Sequence, residues 1–335
     1  MIKRNLPLVI TIMVFIIGYL ICLVEFPAFA TTRVICNILT DNAFLGIVAV
    51  GMTFVILSGG IDLSVGSVIA FTGVFLAKMI GDYHIPPGIA IVIVLMLGTA
   101  FGGLMGWIVD KLKIPAFIVT LAGMFFLRGV SFLISEQSIP ISAPLFKTLS
   151  RANWHIPGGG RLSLIAGIML LVVAVGMILA HKTRFGNNVY AIGGNETSAK
   201  LMGVSVSFTT VSIYMLSTLL ATTAGIVFSI YTSAGYPLAA VGVELDAIAA
   251  VVIGGTLLTG GVGTVFGSLV GVLIQGLIQT YITFDGSLSS WWTKIIIGIL
   301  LFSFISLQRL LVIFTEKNKV ISTGQKLGLS QAPGT

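Results

Sequence analysis

Long apolar runs recur along the chain with few charges inside them, and no other feature restricts its folding so tightly. The first extends from Leu6 to Val24, close to the roughly 20 apolar residues that carry a helix across a bilayer. Nine more follow, and the expected spans lie at 6–27, 36–58, 63–81, 87–109, 115–135, 162–181, 208–231, 246–259, 263–284 and 291–313. The eighth is too short to cross unaided, so it is expected to tilt, break or re-enter where protein or a water-filled cavity surrounds it. Charged residues are 9% of the chain and hydrophobic ones 56%, whereas about a quarter of an ordinary soluble domain is charged. The reading is an all-α polytopic bundle of about ten transmembrane helices, a single transmembrane domain over residues 1–335.

The basic residues set an expected orientation. With the N-terminus inside, Lys3, Arg4, Lys111, Lys113, Lys182, Arg184, Lys200, Arg309, Lys317, Lys319 and Lys326 fall on the inner side. Arg33, Lys78, Lys147, Arg151, Arg161 and Lys294 fall on the outer side. Eleven against six satisfies the positive-inside rule with both termini cytoplasmic. Tyr83, Trp154, Tyr231, Tyr236, Trp291 and Trp292 near the outer boundary agree, since amphipathic rings settle at the lipid interface. Lys3 and Arg4 before an apolar run that ends near Ala28-Phe29-Ala30 imitate a signal peptide. The run exceeds the usual h-region of about 7–15 residues, so an uncleaved first span is expected. The net charge of +7 is spread singly between apolar runs and offers no track for a phosphate backbone, which excludes a nucleic-acid partner. Cys22 and Cys36 have no metal or disulfide spacing,.

Forty glycines mark the interior. Gly98, Gly102, Gly103 and Gly106 recur on one span, and Gly254, Gly255, Gly260, Gly261, Gly263, Gly267 and Gly271 along another region. Small residues let backbones approach in lipid, where no hydrophobic drive holds helices together. The denser set, at 254–263, is also a candidate helix break or gate.

On the inner side, the segment 193–203 reads as one short, doubly terminated helix. Asn195 caps its start, Glu196 complements the positive dipole end, Lys200 lies one turn on, and Gly203 closes it,. Ala199, Leu201 and Met202 are expected to form a small knob that a soluble motor can grip. This stretch, Gly193-Gly194-Asn195-Glu196-Thr197-Ser198-Ala199-Lys200-Leu201-Met202-Gly203, resembles the cytoplasmic coupling segment of bacterial ribose- and galactose-type ABC importer permeases. The segments Gly51 to Ser67 and Glu244 to Thr256 resemble two further signatures of that family. Within it, the likeness is nearest to permeases of galactofuranose importers of enteric bacteria. The resemblance implies an inner-membrane subunit without cofactor or metal of its own. It also implies an ATP-binding cassette partner that holds ATP and Mg, a periplasmic sugar-binding protein, and a second permease, similar or identical. The absence of a G-x-x-x-x-G-K-[ST] sequence fits a subunit fuelled by another chain,.

Polar positions on apolar spans mark a candidate path or gate: Asp41, Asn42, Thr53, Ser58, Asp62, Arg128, Gly254, Gly255, Gln275 and Gln279. Groups at such depth face protein or a cavity, as helix glue or as partners for a sugar's hydroxyls. Asp62 is placed to cap the third span or to contact the motor or inner gate. Glu244 and Asp246 mirror it at the eighth, one as a cap and one facing the receptor. Arg128, deep in the fifth, is expected either to pair with Asp41 or to snorkel to headgroups. Competing functions are an ion-gradient transporter, which needs intramembrane acidic or His relays, an amino-acid permease of the same superfamily, and a membrane-embedded enzyme. No HExxH or G-x-S-x-G occurs, and the three histidines lie at loops or span ends,.

Overall fold

The computed structural model describes the backbone of residues 2–307 and the side chains of residues 7–307. The last turns of the span expected at 291–313, and Lys3, Arg4, Arg309, Lys317, Lys319 and Lys326, lie outside the described side chains. Helices dominate: α1 (Ile2–Glu25), α2 (Thr32–Asp41), α3 (Ala43–Leu57), α4 (Val65–Gly81), α5 (Pro87–Leu112) and α6 (Ala116–Ile134) precede the surface segment. That segment, between α6 and the next long helix, holds β1 (Ile139–Pro140), α7 (Pro144–Arg151) and a hairpin of β2 (Asn153–Ile156) and β3 (Gly160–Ser163). Then come α8 (Leu164–Lys182), α9 (Arg184–Gly194), α10 (Glu196–Leu201), α11 (Val206–Thr232), β4 (Ala234–Gly235), α12 (Val243–Ile253), α13 (Val265–Asp285) and α14 (Trp291–Leu307). The strand β1 pairs antiparallel with β4.

Six described helices are long and apolar enough to cross a membrane, or seven if α2 and α3 count as one span. The α2–α3 pair bends by 57° at Asn42. α4 and α14 are apolar but shorter. α12 has 11 residues, about 16 Å at 1.5 Å per residue, half of a hydrocarbon core of about 30 Å. The span expected at 246–259 thus starts earlier and stops at Ile253. Gly255, Gly260, Gly261 and Gly263 all adopt positive φ in the segment that follows, a conformation that L residues other than glycine rarely take and that cannot continue a helix.

The helices are held by close backbone approach. On α5, a Cβ at Gly98 would meet Thr222, at Gly102 Thr218 and Tyr214, and at Gly106 Val211, so α5 and α11 run antiparallel in register. Gly225 faces Thr72 and Ile69, and Gly73 faces Ser229, so α4 and α11 run in the same direction. α3 is the central helix, buried along nearly its whole length. Thr53 Oγ1 and Ser268 Oγ, 2.7 Å apart, tie it to α13.

Candidate functional site

Two regions carry the polar chemistry, one at each end of the bundle. The first is built around the half-helix α12. Its N-terminus lies deep, because Gly66, the second residue of α4, abuts the Glu244 carboxylate and the Ala240 carbonyl. That level is about 20 Å, at 1.5 Å per residue, from the end of α4 at Gly81. The chain between β4 and α12 therefore descends into the bundle as non-helical backbone, tolerated at that depth only where protein or a cavity surrounds it. Its carbonyls need donors. Arg128 on α6 supplies them, Nη1 donating to Pro237 O at 2.5 Å and to Ala239 O at 2.8 Å.

This geometry corrects the expected Arg128–Asp41 pair. Arg128 is bound to the backbone of the descending segment, whereas Asp41 Oδ1 accepts from Tyr231 OH at 3.0 Å. Glu244 is buried, its Oε1 accepting from Gly242 N–H at 3.2 Å and its Oε2 without a hydrogen-bond donor. Asp246, one turn into α12, faces the other way and takes Lys294 Nζ of α14 on both carboxylate oxygens at 2.6 Å.

Above that first turn opens a cavity of about 460 Å³ lined by Asp41, Asn42, Phe44, Leu45, Tyr231, Val243, Asp246, Gln275, Gln279, Ile282, Thr283, Ser290, Thr293, Lys294 and Ile297. A neighbouring cavity of about 540 Å³ shares Asp41, Asn42, Gln279 and Thr283 with it and adds Arg33, Asn37 and Thr280. Four residues expected on the path, Asp41, Asn42, Gln275 and Gln279, thus converge from two helices distant in sequence. Gln275 also donates through Nε2 to Asp246 O at 3.0 Å. Asp246 and Lys294 were not among the expected path residues. Their signal is a cation 48 positions from a carboxylate, which no local pattern shows.

Thr53, Ser58 and Asp62 lie elsewhere. Thr53 bonds Ala49 O and Ser268 as described, and Ser58 Oγ donates to Val55 O at 2.8 Å. Asp62 is fully buried and is not the N-cap of α4, a position that Ser64 holds. Ser64 donates to Asp62 Oδ1 through its amide at 2.9 Å and its hydroxyl at 2.6 Å, and Ser217 Oγ donates to Oδ2 at 2.7 Å. The carboxylate thus fastens the α3–α4 connection to α11. Two acids, Asp62 and Glu244, are thus buried within the bundle.

The second region is the opposite end. The short helix expected at 193–203 is α10, with Asn195 Oδ1 accepting from Ser198 N–H at 2.7 Å and Gly203 closing it at φ +87°. Gly193 and Gly194 differ from expectation: they end a separate helix, α9, whose Thr183 cap accepts from Gly186 N–H at 3.2 Å. Ala199 is fully buried and no part of a knob, while Leu201 is 84% and Met202 73% exposed. The end of α9 is wedged into the helix breaks. A Cβ at Gly193 would strike Leu57 O and Gly261 N, and Gly261 N–H itself donates to Leu57 O at 2.9 Å. Gly254 packs against the Gly267 backbone, and Gly255 at φ +91° lies against Pro7 and Leu8. Tyr190 OH donates to Gly263 O at 2.8 Å.

The described residues thus form a multi-pass helical bundle crossed by a half-helix, with polar cavities at one end and the short exposed helix α10 at the other. The family model described as "Branched-chain amino acid transport system / permease component" matches residues 34–305. The inner membrane ABC transporter permease protein YjfF of Escherichia coli is 71% identical over 99% of this chain and 100% of its own. The fructose import permease protein FruG of Bifidobacterium longum is 36% identical over 92% of each. The ribose import permease protein RbsC of Escherichia coli is 40% identical over 81% of this chain and 84% of its own. No solved structure matches. The chain belongs to this ABC importer permease family, in its sugar-importing branch, and is a multi-pass inner-membrane transport subunit rather than an enzyme.

Proposed function

We propose that this permease imports a monosaccharide, galactofuranose, delivered by a periplasmic binding protein to the vestibule end and driven by an ATP-binding cassette subunit gripping α9 and α10. A second permease, similar or identical, completes the membrane part, and ATP and Mg reside on the cassette subunit. Both termini are cytoplasmic in this reading, which puts α9 and α10 on the cytoplasmic side and the 135–163 segment outside.

The observation that carries the reading is the wedge of Gly193. The exposed handle is joined without slack to the end of α3 and to the glycine turns after α12, so a push on α10 reaches both helix breaks directly. Breaks of this kind have few stable arrangements, which is what a gate needs. The path from the vestibule passes Asp41, Asn42, Gln275 and Gln279 and continues toward Gly254 and Gly255 as the inner gate. Thr53, Ser58 and Asp62 hold the helices that frame it, and Arg128 holds the descending segment before α12 at its side.

The test is purification in mild detergent, identification of the co-purifying chains, and uptake into proteoliposomes. Uptake should require ATP and the receptor and survive collapse of ion gradients. It should be competed by a galactofuranoside better than by ribose or fructose. Gly193→Val should leave the ATPase bound while uptake falls. Uptake that follows an ion gradient without ATP would overturn the reading.

A further inference from the structure

The Asp246–Lys294 pair answers to nothing in the lever described above. It joins the first turn of the half-helix α12 to α14 across the floor of the 460 Å³ cavity. Neither group is deeply buried, with side chains 22% and 53% exposed, so the pair is reached from the cavity. An exposed ion pair is worth little as a structural brace, about 0–1 kcal/mol, and a brace at this position needs no charge. Around it the cavity presents a second carboxylate at Asp41, the phenol of Tyr231 and the amide of Gln279.

Such a set suits a neutral polyol. A carboxylate accepts from two neighbouring hydroxyls at once, an ammonium donates to their oxygens, and an amide does both. The volume lies in the range of about 300–1,000 Å³ typical of small-molecule sites. The wall at Phe44, Leu45 and Ile297 is apolar, as the carbon face of a sugar ring requires.

We propose that this cavity is a monosaccharide subsite within one permease chain, and that the Asp246–Lys294 pair is its reader, parting so that its two charges are taken up by sugar hydroxyls. Parting uncouples α14 from the half-helix, so that occupancy of the outer cavity is felt at the start of α12, whose far end runs into the glycine turns of the inner gate. The proposal rests on the sugar-import reading and adds the site at which the permease itself meets the sugar.

The test uses the full complex in nanodiscs with Thr293→Cys on the cavity wall. The two native cysteines are buried, so labelling of this chain by a membrane-impermeant thiol reagent reports that position. D-galactose, D-ribose, D-fructose and methyl galactofuranoside are the probes, with L-leucine as control. At least one sugar should slow labelling by the factor 1 + [L]/Kd, about tenfold at a nine-fold excess over Kd, and leucine should not. A charge swap, Asp246→Lys with Lys294→Asp, restores a pair and separates bracing from reading. Its labelling without sugar should match the wild type while protection is lost. The neutral pair Asp246→Asn with Lys294→Gln should likewise lose protection and gives a second reading if the swap does not assemble. Protection that survives in either double variant overturns the proposal. A wild-type complex that accumulates sugar without any protection overturns it while leaving the import function standing; a complex that accumulates no sugar defeats the import function itself.

Discussion

Asp62 occupies a fully enclosed position in an apolar bundle, where an ionised carboxylate is tolerable only if its oxygens are taken by donors. Three donations, from Ser64 twice and from Ser217, meet that need. Hydrogen bonds to a charged group contribute about 1.5–3 kcal/mol each. Asp62→Ala is therefore expected to lower stability by about 3 kcal/mol, and Asp62→Asn by less, because an amide oxygen still accepts. Denaturation of the purified chain in mixed detergent micelles measures both, and equal losses would contradict the account. The sequence places an acid before a helix, which suggests a cap; the bond to Ser217, 155 residues away, is tertiary and invisible locally. Arg128 is similar. Its depth is plain from its position in an apolar run, but its partners are carbonyls of a segment that no periodicity places inside the bundle. Replacing Arg128 with Met removes two charged hydrogen bonds, and losing even one, at about 1.5 kcal/mol, raises local opening about tenfold. Hydrogen exchange at residues 238–242 in nanodiscs should accelerate accordingly, with Arg128→Lys intermediate; unchanged exchange there would remove the role.

Among the elements, the long helices follow from apolar length alone. The expected spans at 87–109, 115–135, 162–181 and 208–231 meet α5, α6, α8 and α11 within a few residues. Three features do not follow from length. The bend between α2 and α3 and the early end of α12 depend on what surrounds the backbone, and α9 is built from Gly186, Asn187, Asn188, Gly193 and Gly194, poor helix formers that propensity assigns to a loop. Tertiary contacts supply what propensity lacks: Tyr190 bonds Gly263 and stacks on His181 with ring centroids 6.0 Å apart. α10 is the converse case, six residues long and readable because its caps are local. So short a helix has little to stabilise it besides those caps. Asn195→Ala is expected to cost about 1 kcal/mol and to loosen the handle without touching the bundle. The cassette subunit should then co-purify less well at raised salt, while the permease keeps its thermal transition. Undiminished co-purification would separate the cap from the docking role proposed for α10.

At the scale of the whole molecule, α11 is the mast: it packs on α5, α3 and α4, the helix pairs in closest association. In lipid this packing rests on fit and not on hydrophobic exclusion, which is why the glycines at 98, 102 and 106 could be read from sequence as a seam, though not which helix they meet. The seam also links the two ends of the molecule. α11 begins beside α10, its Ser217 holds Asp62, and its last turn supplies Tyr231 to the vestibule. A change that parts α5 from α11 should thus disturb folding, handle and vestibule together. Gly102 is the tightest point, since a side chain there meets the Thr218 hydroxyl and the Tyr214 backbone, and backbone cannot swing aside. Gly102→Val is expected to fall in the overpacking range, about 1–3 kcal/mol or more, and to cut the yield of folded permease several-fold. Gly103→Val, whose nearest neighbour is the flexible Met215 side chain, should be tolerated. The pair of variants, compared by membrane yield and by size-exclusion profile in detergent, distinguishes register from glycine content: similar behaviour of the two would mean that the α5–α11 packing is not what sets the bundle.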